Sequence, residues 1–197
     1  MNIKLKIARA QLGTALSLFL RNKDPLSVQA LACGGSEVIQ GLADQQGLPT
    51  LTTHILKHFP EVDLAEIYRI RNRHWNAIKH FYNRDNKTPR NDEELMTDFS
   101  DTNNDAVLFS GWLDYQLFTK RLPVEVQVFQ VWWYATNEPK MNPHVDPTPF
   151  RTAFPNIMSG DRHEQKRRLK ISVEKYLKVP ALLRDPMTEQ GPLIPNA

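Results

Sequence analysis

The chain has 197 residues and a mass of 22.8 kDa, with 41% hydrophobic, 24% charged and 9% aromatic residues. This balance excludes a wholly disordered chain and fits one domain with an appended segment, long enough to bury a core. A net charge of +3, from 25 basic and 22 acidic residues, is too small for a whole-protein nucleic-acid footprint, and no stretch approaches the roughly 20 apolar residues of a membrane span.

Ile7, Leu12, Leu16 and Phe19 fall near helical spacing and predict an amphipathic helix over 3–19, ending before Asn22. The apolar stretch at 15–20 is short, is interrupted by Ser17 and lacks a small-residue cleavage site. A helix explains it better than a signal peptide, and a cytoplasmic location is expected. Asp24-Pro25 restarts the chain as a second helix, with Asp as cap and Pro in the first turn. Val28, Leu31, Ala32, Ile39 and Leu42 supply its apolar side. Gly34-Gly35 marks either a kink or a close approach by another helix, and Gly47 and Pro49 end the segment. Cys33 is the single cysteine, so it can form no internal disulfide. Its small and apolar neighbours mark it as a buried structural thiol.

A short third helix is predicted over 51–59. A fourth starts at Asp63, whose carboxylate is a good cap, and continues to about Tyr82. The polar stretch at 83–104, with Pro89 and many Asp and Asn, predicts a long loop. A fifth helix carries Ala106, Leu108, Phe109, Leu113 and Leu117. Leu122-Pro123 opens a sixth, with Val124, Val128, Val131, Trp132 and Ala135. Its valines and aromatics leave a strand as the alternative, but Pro123, Glu125 and the length of the run favour helix. Pro139, Pro143, Pro147, Pro149 and Pro155 predict an extended wrap with no regular helix. Asp161 and Glu164 have capping-box spacing at the start of a basic helix reaching Lys178, and an extended tail is expected after Pro180. The sum is an all-α chain: a compact bundle of about six or seven helices at 1–138, with a Pro-rich wrap, basic helix and tail at 139–197 packed on the same domain.

The segment from Arg69 to His80 is the richest in chemistry. On one continuous helix Arg73, Asn76 and His80 share a face, as do Asn72, Asn76 and His80. A guanidinium, an amide and an imidazole on one stripe suit phosphate chemistry, because Arg holds phosphate oxygens and His exchanges a proton near neutral pH. Arg73, His80 and Asn76 are therefore candidate catalytic residues, and Lys79, Arg69 and Asn72 candidate substrate contacts. The structural alternative is a solvated face, with Trp75, Ile78 and Phe81 packing and His80 bonded to a loop carboxylate.

Arg73-His74 followed by His80 resembles the Arg-polar-spacer-His motif of the HEPN superfamily, small all-α bundles found in toxins, CRISPR-associated nucleases and antiviral proteins. The resemblance implies a metal-independent ribonuclease acting as a dimer. Arg73 and His80 would be the catalytic pair, and the substrate's own 2′-hydroxyl would attack the neighbouring phosphate. Here the spacer is at the long end, and residue 74 is His where Asn or Asp is commoner. A second resemblance spans roughly 5–139. Ala10-Gln-Leu-Gly-Thr-Ala-Leu, Asp24-Pro-Leu-Ser-Val-Gln-Ala-Leu and Asn76-Ala-Ile-Lys-His-Phe-Tyr-Asn-Arg-Asp85 are followed by Asp98-Phe-Ser, Asp105-Ala-Val-Leu-Phe and Asp114-Tyr. In that order they look like a widespread set of uncharacterised bacterial proteins of similar length, and the resemblance implies a fold but no activity. Where those proteins read Lys-His-Ala-Asp, this chain has Lys79-His80-Phe81-Tyr82.

His80, Asp85, Asp98 and Asp101 would suit a divalent metal if the loop folded back, whereas His54 and His58, spaced i, i+4, supply only two ligands. No HExxH, CxxC, P-loop or dinucleotide fingerprint is present, so neither a cofactor nor a bound metal is expected. Trp132-Trp133-Tyr134 can serve as a base-stacking platform, but core packing is preferred, with Trp75 and Trp112 in the same core. The basic run 166–170 can touch RNA or an acidic partner, or remain a solvated face. The expectation that results is a bacterial binding or interaction module. The alternative is a HEPN-like ribonuclease of a toxin or phage-defence system, and the second alternative a metal-dependent hydrolase. RNA or a protein is the expected partner, a homodimer the expected assembly, and a membrane is not expected.

Overall fold

The structure is a computed structural model that describes residues 2–195 apart from 84, 86 and 143. Expectations placed on Arg84 and Pro143 therefore lie outside the described residues. The chain is helical, with two isolated β-bridges among the described residues. It divides into two compact units, Met1–Thr119 and Lys120–Ala197.

In the first unit, α1 (Ile3–Leu20) buries Ala8, Leu12, Ala15, Leu16 and Phe19, a face at helical spacing. Helix α2 (Pro25–Gln45) starts where Asp24 accepts hydrogen bonds from the Leu26 and Ser27 amides, at 3.3 and 2.8 Å. It runs unbroken through Gly34-Gly35. The glycines mark a close approach rather than a kink: a Cβ on Gly35 would sit 2.8 Å from Leu12 Cγ and 3.1 Å from the Ala8 carbonyl oxygen of α1. Helix α2 packs against α1 and against two later helices, α5 (Arg73–Lys79) and α7 (Asn103–Thr119). Cys33 is buried on it, as expected, and burial pushes its thiol up to about 12. Helix α3 (Leu51–His58) opens with a reciprocal capping box between Thr50 and Thr53.

The predicted fourth helix is two helices. Helix α4 (Leu64–Arg71) begins where Asp63 accepts from the Glu66 amide at 2.6 Å and ends at Asn72, which turns into α5 (Arg73–Lys79). Asn favours such turns because its side chain competes with helical backbone bonding. His80 does not continue α5; its backbone is extended (φ −121°, ψ 124°). The chain there enters a tight reversal, in which Arg90 N donates to Phe81 O and Asn83 N to Thr88 O, both at 2.9 Å. Asp85 anchors the reversal by accepting from the Lys87 and Thr88 amides and from Thr88 Oγ1. The expected loop at 83–104 also contains a short helix, α6 (Glu93–Thr97). Helix α7 (Asn103–Thr119) buries Val107, Leu108, Trp112 and Tyr115.

In the second unit, the Val-rich run is helix α8 (Val124–Thr136), not strand, with Val126, Phe129 and Trp132 fully buried. Trp132 Nε1 donates to the Gln165 carbonyl at 3.2 Å, so this tryptophan is core. The Pro-rich stretch is not simply extended. Thr148–Ala153 forms α9, with Pro149 in the first turn where proline's missing amide costs little, and Phe150 stacks on Tyr134 with centroids 4.9 Å apart. Asp161 caps α10 (Arg162–Tyr176) through the Glu164 amide at 2.8 Å. Within its basic run Lys166 is buried and Arg167 pairs with Glu164. The tail adds α11 (Pro180–Leu183), and a parallel bridge joins Leu122 to Thr188. Among the described residues there are eleven α-helices, more than the six or seven expected, because Asn72 splits one and three more are single turns or little longer.

Candidate functional site

Helices α3 and α4 are short, and they are poorly buried: Thr52 is the one buried residue of α3, and α4 has none. Helices this loosely seated leave space beneath them. A cavity of about 540 Å³ opens between α2, α3, α4, α5 and α7 of the first unit. Leu51 and Ile55 of α3, Ile67 and Ile70 of α4, and Val107 of α7 make most of its wall apolar. Polar groups on its lining include Gln29, Arg71, Arg73, His74, Ser110 and Asp114.

Asp114 follows Val107 and Gly111 at helical spacing and so lies on the inner face of α7, only 3% exposed. Its Oδ1 accepts from the Leu51 amide at 2.6 Å. Burial pushes its carboxyl up to about 6, against the opposing pull of the Leu51 amide and the Arg71 charge. Arg71, half-buried at the end of α4, donates to Gln40 Oε1 and lies over the Tyr68 ring at 4.9 Å. Gln40 in turn donates to the Tyr68 hydroxyl at 3.2 Å. Gln29, 3% exposed, donates to Cys33 Sγ at 3.4 Å and keeps its amide oxygen unpaired.

At the cavity edge Asp98 joins two adjacent residues of α5. Arg73 Nη2 donates to its Oδ2 at 2.7 Å, and His74 Nε2 lies 3.3 Å from its Oδ1. His74 is buried, with its ring edge-on to Phe99. The His74 hydrogen bond, and then the Arg73 charge, hold the Asp98 carboxyl below its usual range despite some burial.

Four sequence-predicted residues, Arg69, Asn72, Arg73 and Asn76, line a second, shallower groove of about 620 Å³ with Tyr68 and Arg90. Its three arginines are each paired, Arg69 with Glu66, Arg73 with Asp98 and Arg90 with Asp92. Lys79 lies 3.6 Å from Glu37 and over the Trp75 ring, outside both spaces. His80 is exposed beyond the end of α5 and lines neither space. The structural alternative of His80 bonded to a loop carboxylate is not realised among the described residues, because the extended backbone at 80 leaves the side chain exposed beyond the helix. Trp75 is half-buried and donates to Glu37 at 3.3 Å, whereas Trp112 is fully buried. Among the described residues no three His, Cys, Asp or Glu side chains could hold a metal, so His80, Asp85, Asp98 and Asp101 do not converge. His54 and His58 stack on each other, 4.1 Å between centroids.

The sequence reading missed Asp114, Gln29 and the pairing of His74. Asp114 had a signal: it is an acidic residue at helical spacing from Val107 and Gly111 on the buried face of α7. No protein-family model, curated protein or solved structure matches the chain. No helix of the described residues is long and apolar enough to cross a membrane.

Proposed function

We propose that this chain is a binding module whose first unit holds a small ligand in the cavity beneath α3 and α4. The observation that carries this reading is the cavity itself. At about 540 Å³ it falls within the roughly 300–1,000 Å³ of small-molecule sites, and it has their composition, an apolar wall with a few placed polar groups. The two rival chemistries have less to stand on. The ribonuclease reading asks Arg73 and His80 to act together, but Arg73 is engaged by Asp98 and His80 lines neither space. The hydrolase reading asks for a ligand cluster that the described residues do not form.

Titration with the neutral apolar dye N-phenyl-1-naphthylamine tests the proposal. Saturable binding at one site is expected, with loss of binding in Ala106→Trp. Ala106 lines the cavity from an exposed position of α7, so the indole fills the space without disturbing the core. Absence of saturable binding to the wild-type protein, or unchanged binding in a folded Ala106→Trp, would overturn it.

A further inference from the structure

The charges around the cavity are unevenly matched. Arg73 and His74 both lean on Asp98. Arg71 is different: its close partners are neutral, the Gln40 amide and the Tyr68 ring, and among the described residues no carboxylate lies within ion-pair distance of it. A guanidinium stays charged at any pH a protein meets, so a half-buried one beside an apolar wall favours an anionic partner. The polar frame also fixes its orientation, because Gln40 is itself held by Tyr68. Asp114 faces the same space, and Asp44 adds a further negative charge near it. Asp114 Oδ1 is taken by the Leu51 amide, and Asp114 forms no ion pair with Arg71, so the remaining guanidinium donors are left for an incoming group.

We infer that the cavity takes an amphipathic organic anion, whose charged head pairs with Arg71 and whose hydrocarbon body lies against Leu51, Ile55 and Ile67. This inference rests on the binding-module reading and adds the class of ligand. A charge-assisted pair to a planar guanidinium supplies the specificity, and the apolar wall supplies the affinity.

The test is calorimetric titration with three probes sharing one tail: octanoate, octanol and octylamine, each below its aggregation concentration. Octanoate is expected to bind the wild-type protein about tenfold or more tighter than octanol. Arg71→Met is expected to remove that preference and leave octanol affinity within about threefold, while Arg71→Lys retains part of it. The wild-type ranking needs no variant, so a variant that fails to fold leaves the test intact. Equal binding of octanol and octanoate, or a preference for octylamine, overturns the anion assignment while the cavity reading stands. Binding of none of the three overturns both. A folded Arg71→Met that still prefers octanoate overturns the role of Arg71.

Discussion

The Leu51 amide donates to the Asp114 carboxylate at 2.6 Å, tying the first residue of α3 to the buried face of α7. The contact closes one end of the cavity and places a titratable group where water has little access. A carboxyl so placed loses its proton less readily than one in water, and its pKa of about 6 lies above the usual value of 3.8.

Stability is expected to depend on pH through Asp114. Because the folded pKa is raised, the contribution is fully present below the unfolded value and is lost as pH rises through about 6. The loss is on the order of 3 kcal/mol. Asp114→Asn keeps an acceptor for Leu51 and has no charge to bury. Urea unfolding at several pH values from 4 to 7 should therefore show the variant gaining on wild type across that interval. Parallel curves would contradict the assignment.

The Gly35 backbone lies against α1, and a methyl group there would press on Leu12 and the Ala8 carbonyl. Gly35→Ala is expected to destabilise by about 1–3 kcal/mol despite alanine's better helix propensity. Gly41 has nothing within 4 Å of its would-be Cβ, so Gly41→Ala should be neutral or stabilising. Denaturant midpoints of the two variants check this directly. A stable Gly35→Ala would show that the helices are less closely packed than the geometry demands.

Two histidines separated by six positions should behave in opposite ways. His74 is buried against Phe99 and bonded to Asp98, so His74→Ala is expected to cost on the order of 2 kcal/mol. Asp98→Ala should lower the melting temperature by less, since Asp98 is half-exposed. His80→Ala should stay within about 0.5 kcal/mol of wild type, as expected for an exposed side chain. Thermal melts followed by circular dichroism compare all three, and a large loss in His80→Ala would show that His80 has a structural partner.

The local features were legible in the sequence. Asp24, Asp63 and Asp161 each cap a helix as read, because capping joins a side chain to an amide two or three residues away. The same locality explains why Pro123 and Glu125 marked a helix start despite the valines that follow. Pro149 shows the limit of composition: a proline-dense stretch still holds α9, since proline in a first turn breaks no bond. The candidate ligand site was much less legible. A helical-face argument for Arg73 and His80 needs the helix to run through position 80, and α5 stops at Lys79 with the His80 backbone extended.

Thus the residues alone determined that this chain is helical and where most helices begin, through contacts that reach only one turn along the backbone. Tertiary structure decided which of the polar residues line an enclosed space. Asp114 and Leu51 are 63 positions apart, Arg71 and Gln40 31 apart, and Arg73 and Asp98 25 apart. No local periodicity encodes whether a charge at such a separation is met by an opposite charge, by a neutral amide or by an apolar wall.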